Sequence, residues 1–289
     1  MSDWQMQVAM SKNVIRRKSL EPRSPSEADH DARDGGVQSV DRALSILETL
    51  AEDDEGYRLS DLAVRTGLSA STVHRLLATL ESRRFVQFDR AESKWHVGVR
   101  SFTVGASFAR RRNFSTQAIP YLRKLRDLTR ETANLAVVDD EYIIVLTRME
   151  SREIMRSLTQ VGGRVAMVTS GVGKAVLATY SDEEVGAVIR HHGMPRLTEK
   201  SIVRPSDLFK ELGKIRKQGF AIDDEEACMG LRCIAAVVYN DCAEPLAAIS
   251  VSGMTSRLTD DRLPEIGQIV REVAGELTLA LGGTMPTPA

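Results

Sequence analysis

No stretch of the 289-residue chain approaches the ~18 consecutive apolar residues that a membrane-spanning helix needs. The opening also lacks the apolar core of a secretory signal, since Ser11 to Lys18 is polar and basic. Cysteine is nearly absent. Cys228, Cys233 and Cys242 are too few, and odd in number, for a disulfide framework. They form no C-x-x-C pair, so no metal site is expected. These absences point to a reducing cytoplasm and to no membrane partner. An excess of either charge is missing too, because 39 Lys and Arg face 40 Asp and Glu. That excludes a uniformly basic nucleic-acid binder but leaves room for a local basic patch. The marks of an enzyme are lacking as well. There is no G-x-S-x-G elbow, no base is placed beside a cysteine, and the adjacent His191 and His192 point different ways on a helix. No catalytic residue and no cofactor is assigned.

What is present fits two domains, at ~100–200 residues each. Residues 1–36 carry six basic and six acidic residues, Pro22, Pro25, Gly35 and Gly36, and read as a disordered tail. Their run Arg16-Arg17-Lys18 reads as a solvated segment within reach of DNA. Residues 37–98 form a unit of three helices and a hairpin. The helical spacing of Val40, Ala43, Leu44, Leu47, Leu50 and Ala51 predicts a first helix from Ser39 to Ala51. A short second helix opens at Leu59, with Ser60 as its expected N-cap, and stops at Gly67. Ser69 caps a third, Ala70 to Ser82. Phe85–Phe88 and Trp95–Val97 are strand-like around the polar tip Asp89–Ser93.

Residues 99–114 read as a linker helix with Val99, Phe102, Gly105 and Ala106 along one side. Residues 115–283 read as α/β. Strands are expected at Asn134–Val138, Tyr142–Met149, Ile234–Tyr239 and Leu246–Val251. Helices are expected at Gly171–Tyr180, Asp182–His192, Ser206–Lys217 and Asp260–Leu281, the last capped by Thr259 and stopped by Gly282-Gly283. Residues 284–289 are a short tail.

The first unit has the parts of a winged helix-turn-helix. Ala63 is small where two helices would cross, and Gly67 suits the turn. The third helix then presents Ser69, Ser71, Thr72, His74, Arg75 and Thr79, short or basic side chains suited to phosphates and base edges. Arg90 and Lys94 lie near the tip of the wing. From Arg65 to Arg112 ten basic residues face three acidic ones, a balance of +7 inside a neutral chain. One recognition helix covers few base pairs, so a homodimer on a palindromic operator in double-stranded DNA is expected. A sensor that signals through protein partners, its basic patch incidental, is the alternative, and a mobility shift with nonspecific DNA separates the two.

Several stretches resemble the IclR-type bacterial transcription regulators. They are Ser39-Val40-Asp41-Arg42-Ala43-Leu44-Ser45-Ile46-Leu47, Leu68 through Leu77, Glu131 through Ala136, Ser170 through Ala175, and Gly230 through Ala236. The resemblance covers about residues 37–283. It implies a mixed α/β (α+β) fold: a winged helix-turn-helix, a linker helix and an effector-binding domain with a curved, GAF-like antiparallel sheet. It also implies a homodimer or a homotetramer built as a dimer of dimers.

Ser170-Gly171-Val172-Gly173-Lys174 opens a helix whose first N–H groups suit a small carboxylate. A phosphate loop is excluded there, because Val168 stands where the first glycine belongs and Ala175 replaces Ser or Thr. Ser250 and Ser252 share one strand face, opposite Ile249 and Val251. Taken singly, they read equally as surface hydroxyls, Cys233 as a small core residue and Asp223 as a turn residue. The resemblance implies that Gly171, Val172, Asp223, Cys233, Ser250 and Ser252 line an effector pocket. Its occupant would be a small organic acid, glyoxylate- or pyruvate-like, or an aromatic or sugar acid. Ala166-Met167-Val168 replaces the family's Pro-Leu-His-like triplet, which makes the pocket roof more apolar.

Overall fold

The computed structural model describes residues 37–111, 114–139, 142–151 and 160–286. The tail expected at 1–36 lies outside the described residues. The chain divides into two compact units, Met1–Arg111 and Arg112–Ala289, so the helix read as a linker belongs with the first.

In the first unit α1 (Gln38–Leu50), α2 (Leu59–Thr66) and α3 (Ala70–Ser82) precede a hairpin of β1 (Val86–Asp89) and β2 (Lys94–Val97), followed by α4 (Val99–Arg111). Ile46 and Leu50 of α1, Leu62 of α2, Val73 and Leu77 of α3, and Val86 and Trp95 of the hairpin close one core. Gly67 ends α2 at φ 67°, the left-handed conformation that lets the chain turn into α3. Ser69 caps α3 as expected, its side chain accepting the Thr72 N–H. Ser60 is not a cap. The extended residue before α2 is Arg58, and the Ser60 hydroxyl turns to the Asp61 carboxylate instead.

The second unit holds α5 (Phe114–Thr129), β3 (Thr132–Asp139), β4 (Tyr142–Met149), β5 (Arg164–Ala166), α6 (Gly171–Leu177), α7 (Asp182–His192), α8 (Pro205–Gln218), β6 (Ala221–Asp224), β7 (Leu231–Tyr239), β8 (Pro245–Met254) and α9 (Leu263–Ala280). Its strands form one curled antiparallel sheet in the order β5-β4-β3-β8-β7-β6. Strand side chains alternate between faces. Ala133, Leu135 and Val137, Ile234, Ala236 and Val238, and Ala247, Ile249 and Val251 all point to the face covered by α5 and α9. The intervening residues face α6, α7 and α8. Helix α5 and strands β5 and β6 are absent from the sequence reading. Pro120 interrupts α5 in sequence, yet Ala118, Leu122, Leu125 and Thr129 still bury one stripe. The last helix starts later than expected, at Leu263, with Arg262 and not Thr259 before it.

Helix α6 is wholly buried. A Cβ on Gly173 would stand 2.1 Å from the Met167 carbonyl oxygen, so only glycine lets α6 lie against the turn that precedes it. Lys174 is fully buried and donates to the Ile222 carbonyl at 2.6 Å and to the Glu226 carboxylate. Lys174→Met would leave that carboxylate buried without its counter-charge. The expected loss is about 3–5 kcal/mol, read as a lower urea midpoint for the second unit.

Candidate DNA-reading surface and effector cavity

On α3 the side chains of Ser69, Ser71, His74, Arg75 and Thr79 are exposed and Thr72 is half-buried. Ser71, Arg75 and Thr79 are four residues apart and share one stripe, opposite buried Val73 and Leu77. Ser69 is engaged at the cap, within 3.0 Å of the Ser71 hydroxyl and 2.8 Å of the Thr72 hydroxyl. Thr79 donates its hydroxyl to the Arg75 carbonyl at 3.0 Å, which leaves it an acceptor. Arg90 is exposed at the hairpin tip, while Lys94 pairs with Glu92 at 3.1 Å. Arg83 and Arg84, exposed just past α3, are basic side chains that sequence reasoning counted but did not assign.

The second candidate site is a cavity of about 110 Å³ between the sheet and the entry to α6. Strand register assembles its polar wall. Asp223 lies opposite Cys233, Cys233 opposite Ser252, and Ser250 opposite Asn134. Ser170 and Val172 line it from the α6 entry, and Ile143, Val145 and Val165 supply an apolar side. Four of the six expected residues thus meet on the sheet, and Val172 joins them from α6. Gly171 is not in the wall. A Cβ there would stand 2.9 Å from the Cys233 carbonyl oxygen, so its part is to let α6 approach β7. The expected row of free N–H groups is shortened as well. Gly173 N–H donates to Ser170 Oγ at 3.0 Å, which leaves those of Gly171 and Val172.

Asn134 and Ser170 are site residues that sequence reasoning missed. Asn134 is buried, and its amide reaches Ser252 Oγ at 3.4 Å and Ser250 Oγ at 3.5 Å. The available signal was alternation in β3, which puts Asn134 on the face of Ala136. Arg232 also lines the cavity, but its guanidinium is committed to Asp224 at 2.6 Å, Asp260 at 2.5 Å and the Leu258 carbonyl at 2.6 Å. Burial pushes the Cys233 thiol up to about 11, with the Asp223 charge adding to it. At neutral pH it is therefore a hydrogen-bonding thiol, not a nucleophile. Burial, reinforced by the neighbouring Glu226, also raises Asp223 to about 7, against the opposing pull of Lys174. Such a wall of short hydroxyl, amide and thiol groups, closed by aliphatic side chains, suits a small oxygen-rich molecule.

Comparison with known proteins finds matches to both units. The model for the IclR helix-turn-helix domain matches residues 39–90, and that for the bacterial transcriptional regulator IclR C-terminal region matches 106–279. The acetate operon repressor of Salmonella typhimurium (strain LT2) is 42% identical over 252 residues, 86% of this chain and 92% of that one. The transcriptional repressor IclR of Escherichia coli (strain K12) is 41% identical over 251 residues, with the same coverage. Among solved structures, an IclR homolog from Microbacterium hydrocarbonoxydans, complexed with 4-hydroxybenzoate, covers 84% of this chain and 98% of its own at a TM-score of 0.73. Its 21% identity makes that a likeness of fold. The relatives are repressors and not enzymes, and this chain belongs to the IclR family as a DNA-binding transcription regulator with an effector-binding C-terminal domain.

Proposed function

We propose that this regulator is a cytoplasmic repressor that reads a palindromic operator with α3 and is tuned by a small organic acid held in the cavity of its second unit. The observation that carries the reading is one chain combining an exposed polar recognition face with a cavity that short polar side chains line on the sheet. Ser71, His74 and Arg75 would meet the major groove, and Arg90 and Lys94 the backbone beside it. The names of its relatives support repression, and the acetate operon named for one of them favours a two- or three-carbon acid over an aromatic one. The 4-hydroxybenzoate complex of a more distant homolog shares the carboxylate. Hydroxyls of Ser250 and Ser252 and the N–H group of Val172 would take the acid's oxygens.

Pairing of two chains is part of this proposal. Along α4, Val99 is 66% and Phe102 76% exposed, a surface that a second copy would cover. Light scattering at micromolar concentration is expected to give a dimer or a tetramer, and a strict monomer would contradict it.

Arg75→Ala is expected to weaken operator binding in a mobility shift. A loss of about 1–3 kcal/mol with relaxed preference at one base marks a guanine contact, and a uniform loss across sequences marks a phosphate contact. Ser252→Ala removes one donor to a charged ligand oxygen, worth about 1.5–3 kcal/mol. Calorimetry with the acid is expected to show its dissociation constant raised roughly ten- to a hundredfold, with effector-free operator affinity unchanged.

A further inference from the structure

The wall of the cavity has an electrostatic problem that its occupant must solve. Behind it lie two carboxylates and one ammonium, all shielded from water: Asp223 and Glu226 are each 6% exposed and Lys174 is fully buried. Lys174 donates to the Ile222 carbonyl and to Glu226 Oε1, while Glu226 Oε2 is buried with no hydrogen-bond partner. Asp223 Oδ1 takes the N–H groups of Glu226 at 2.7 Å and Ala227 at 3.4 Å. No donor is recorded for Asp223 Oδ2 among the described residues, and Asp223 lines the cavity. Among the described residues the cationic side chain in the lining is Arg232, and it is held by Asp224 and Asp260. An acid that enters as an anion therefore meets a carboxylate with no spare cation beside it among the described residues, in surroundings where like charges repel strongly.

We propose that the effector enters as an anion together with one proton from solvent, which resides on Asp223 and is donated from Oδ2 to an oxygen of the ligand. The proposal rests on the cavity being the effector site. It turns the one repulsive group in the wall into a hydrogen-bond donor. The groups around Asp223 support that assignment. From α6, Lys174 is bonded to Glu226 and opposes the upward push that burial gives that carboxyl. From β7, Cys233 is a neutral thiol and Arg232 is committed elsewhere. From β8 and β3 come only the hydroxyls of Ser250 and Ser252 and the amide of Asn134. Of the two buried carboxylates Asp223 is the one that lines the cavity, and its poise near 7 places the change within the working range of a cell. A site built this way binds the same acid more tightly as the pH falls.

The test is calorimetry on the full chain with glyoxylate, pyruvate and 4-hydroxybenzoate, carried out in pairs of buffers of different ionisation enthalpy. These acids stay ionised throughout. The dissociation constant is expected to be flat below about pH 6 and to rise about tenfold per pH unit above about pH 7.5, with proton uptake approaching one at the upper end. Asp223→Asn keeps an acceptor at one atom and a permanent donor at the other. It is expected to bind the acid with the pH dependence and proton uptake both abolished. Binding by the parent that is independent of pH and without proton uptake would overturn the proposal while leaving the effector site in place. Dependence retained in Asp223→Asn would overturn the assignment to Asp223. If Asp223→Asn fails to fold, the buffer-pair measurement on the parent still decides whether a proton is taken up. Absence of binding by all three acids, or binding unaffected by Ser252→Ala, would instead sink the effector-site reading, and this proposal with it.

Discussion

Lys174 is the contact on which the second unit turns. It is a cation with no access to water, on a helix of seven residues that could not persist alone. Its ammonium reaches across to the end of β6 and the loop after it, and so ties α6 to the sheet edge through Ile222 and Glu226. That tether sets the height of the α6 entry above β7. Gly171 and Gly173 let the helix settle there without a Cβ in the way, and Ser170 closes its first turn. The roof of the cavity is the result.

The cavity exists because the two faces of the sheet are filled differently. The face under α5 and α9 carries Leu135, Val137, Ile234, Val238, Ile249 and Val251, and packs solid. On the other face the matching rows hold small residues: Ala221 pairs with Ala235, Ala235 with Ser250, and Ser250 with Asn134. Small side chains in register leave space, and the polar ones among them make that space attractive to oxygen atoms. Emptiness and polarity thus come from one alternation, repeated on four neighbouring strands.

Regulation then reduces to a difference in affinity. An effector must bind more tightly to one arrangement of the regulator than to another, since a ligand indifferent to both shifts nothing. The cavity is lined by strand residues and the α6 entry, so a ligand held there would act on the spacing between helix and sheet. The buried charges behind that wall make this spacing sensitive to what charge the pocket holds.

In the first unit the sequence by itself was nearly sufficient. Ser69 and Gly67 act through bonds and dihedrals within a few residues, so the second and third helices, their turn and the hairpin could be read from local chemistry. Ser60 shows the limit even there, because Ser60 and Arg58 are equally near the start of α2 and only the backbone decides which is extended. In the second unit, alternation on β8 put Ser250 and Ser252 on one face, and the resemblance to a family named four of the residues that meet on the sheet. Helix α5 was hidden by Pro120, whose local cost is overridden by the core that its apolar stripe enters. Strands β5 and β6 are three and four residues long, too short for periodicity to show. The pairing of Lys174 with Glu226, that of Arg232 with Asp260 and the place of Asn134 beside Ser252 join residues 52, 28 and 118 positions apart. No local pattern encodes such pairs. They are settled only when the sheet closes, because burial then forces each charge and each amide to find its partner in space.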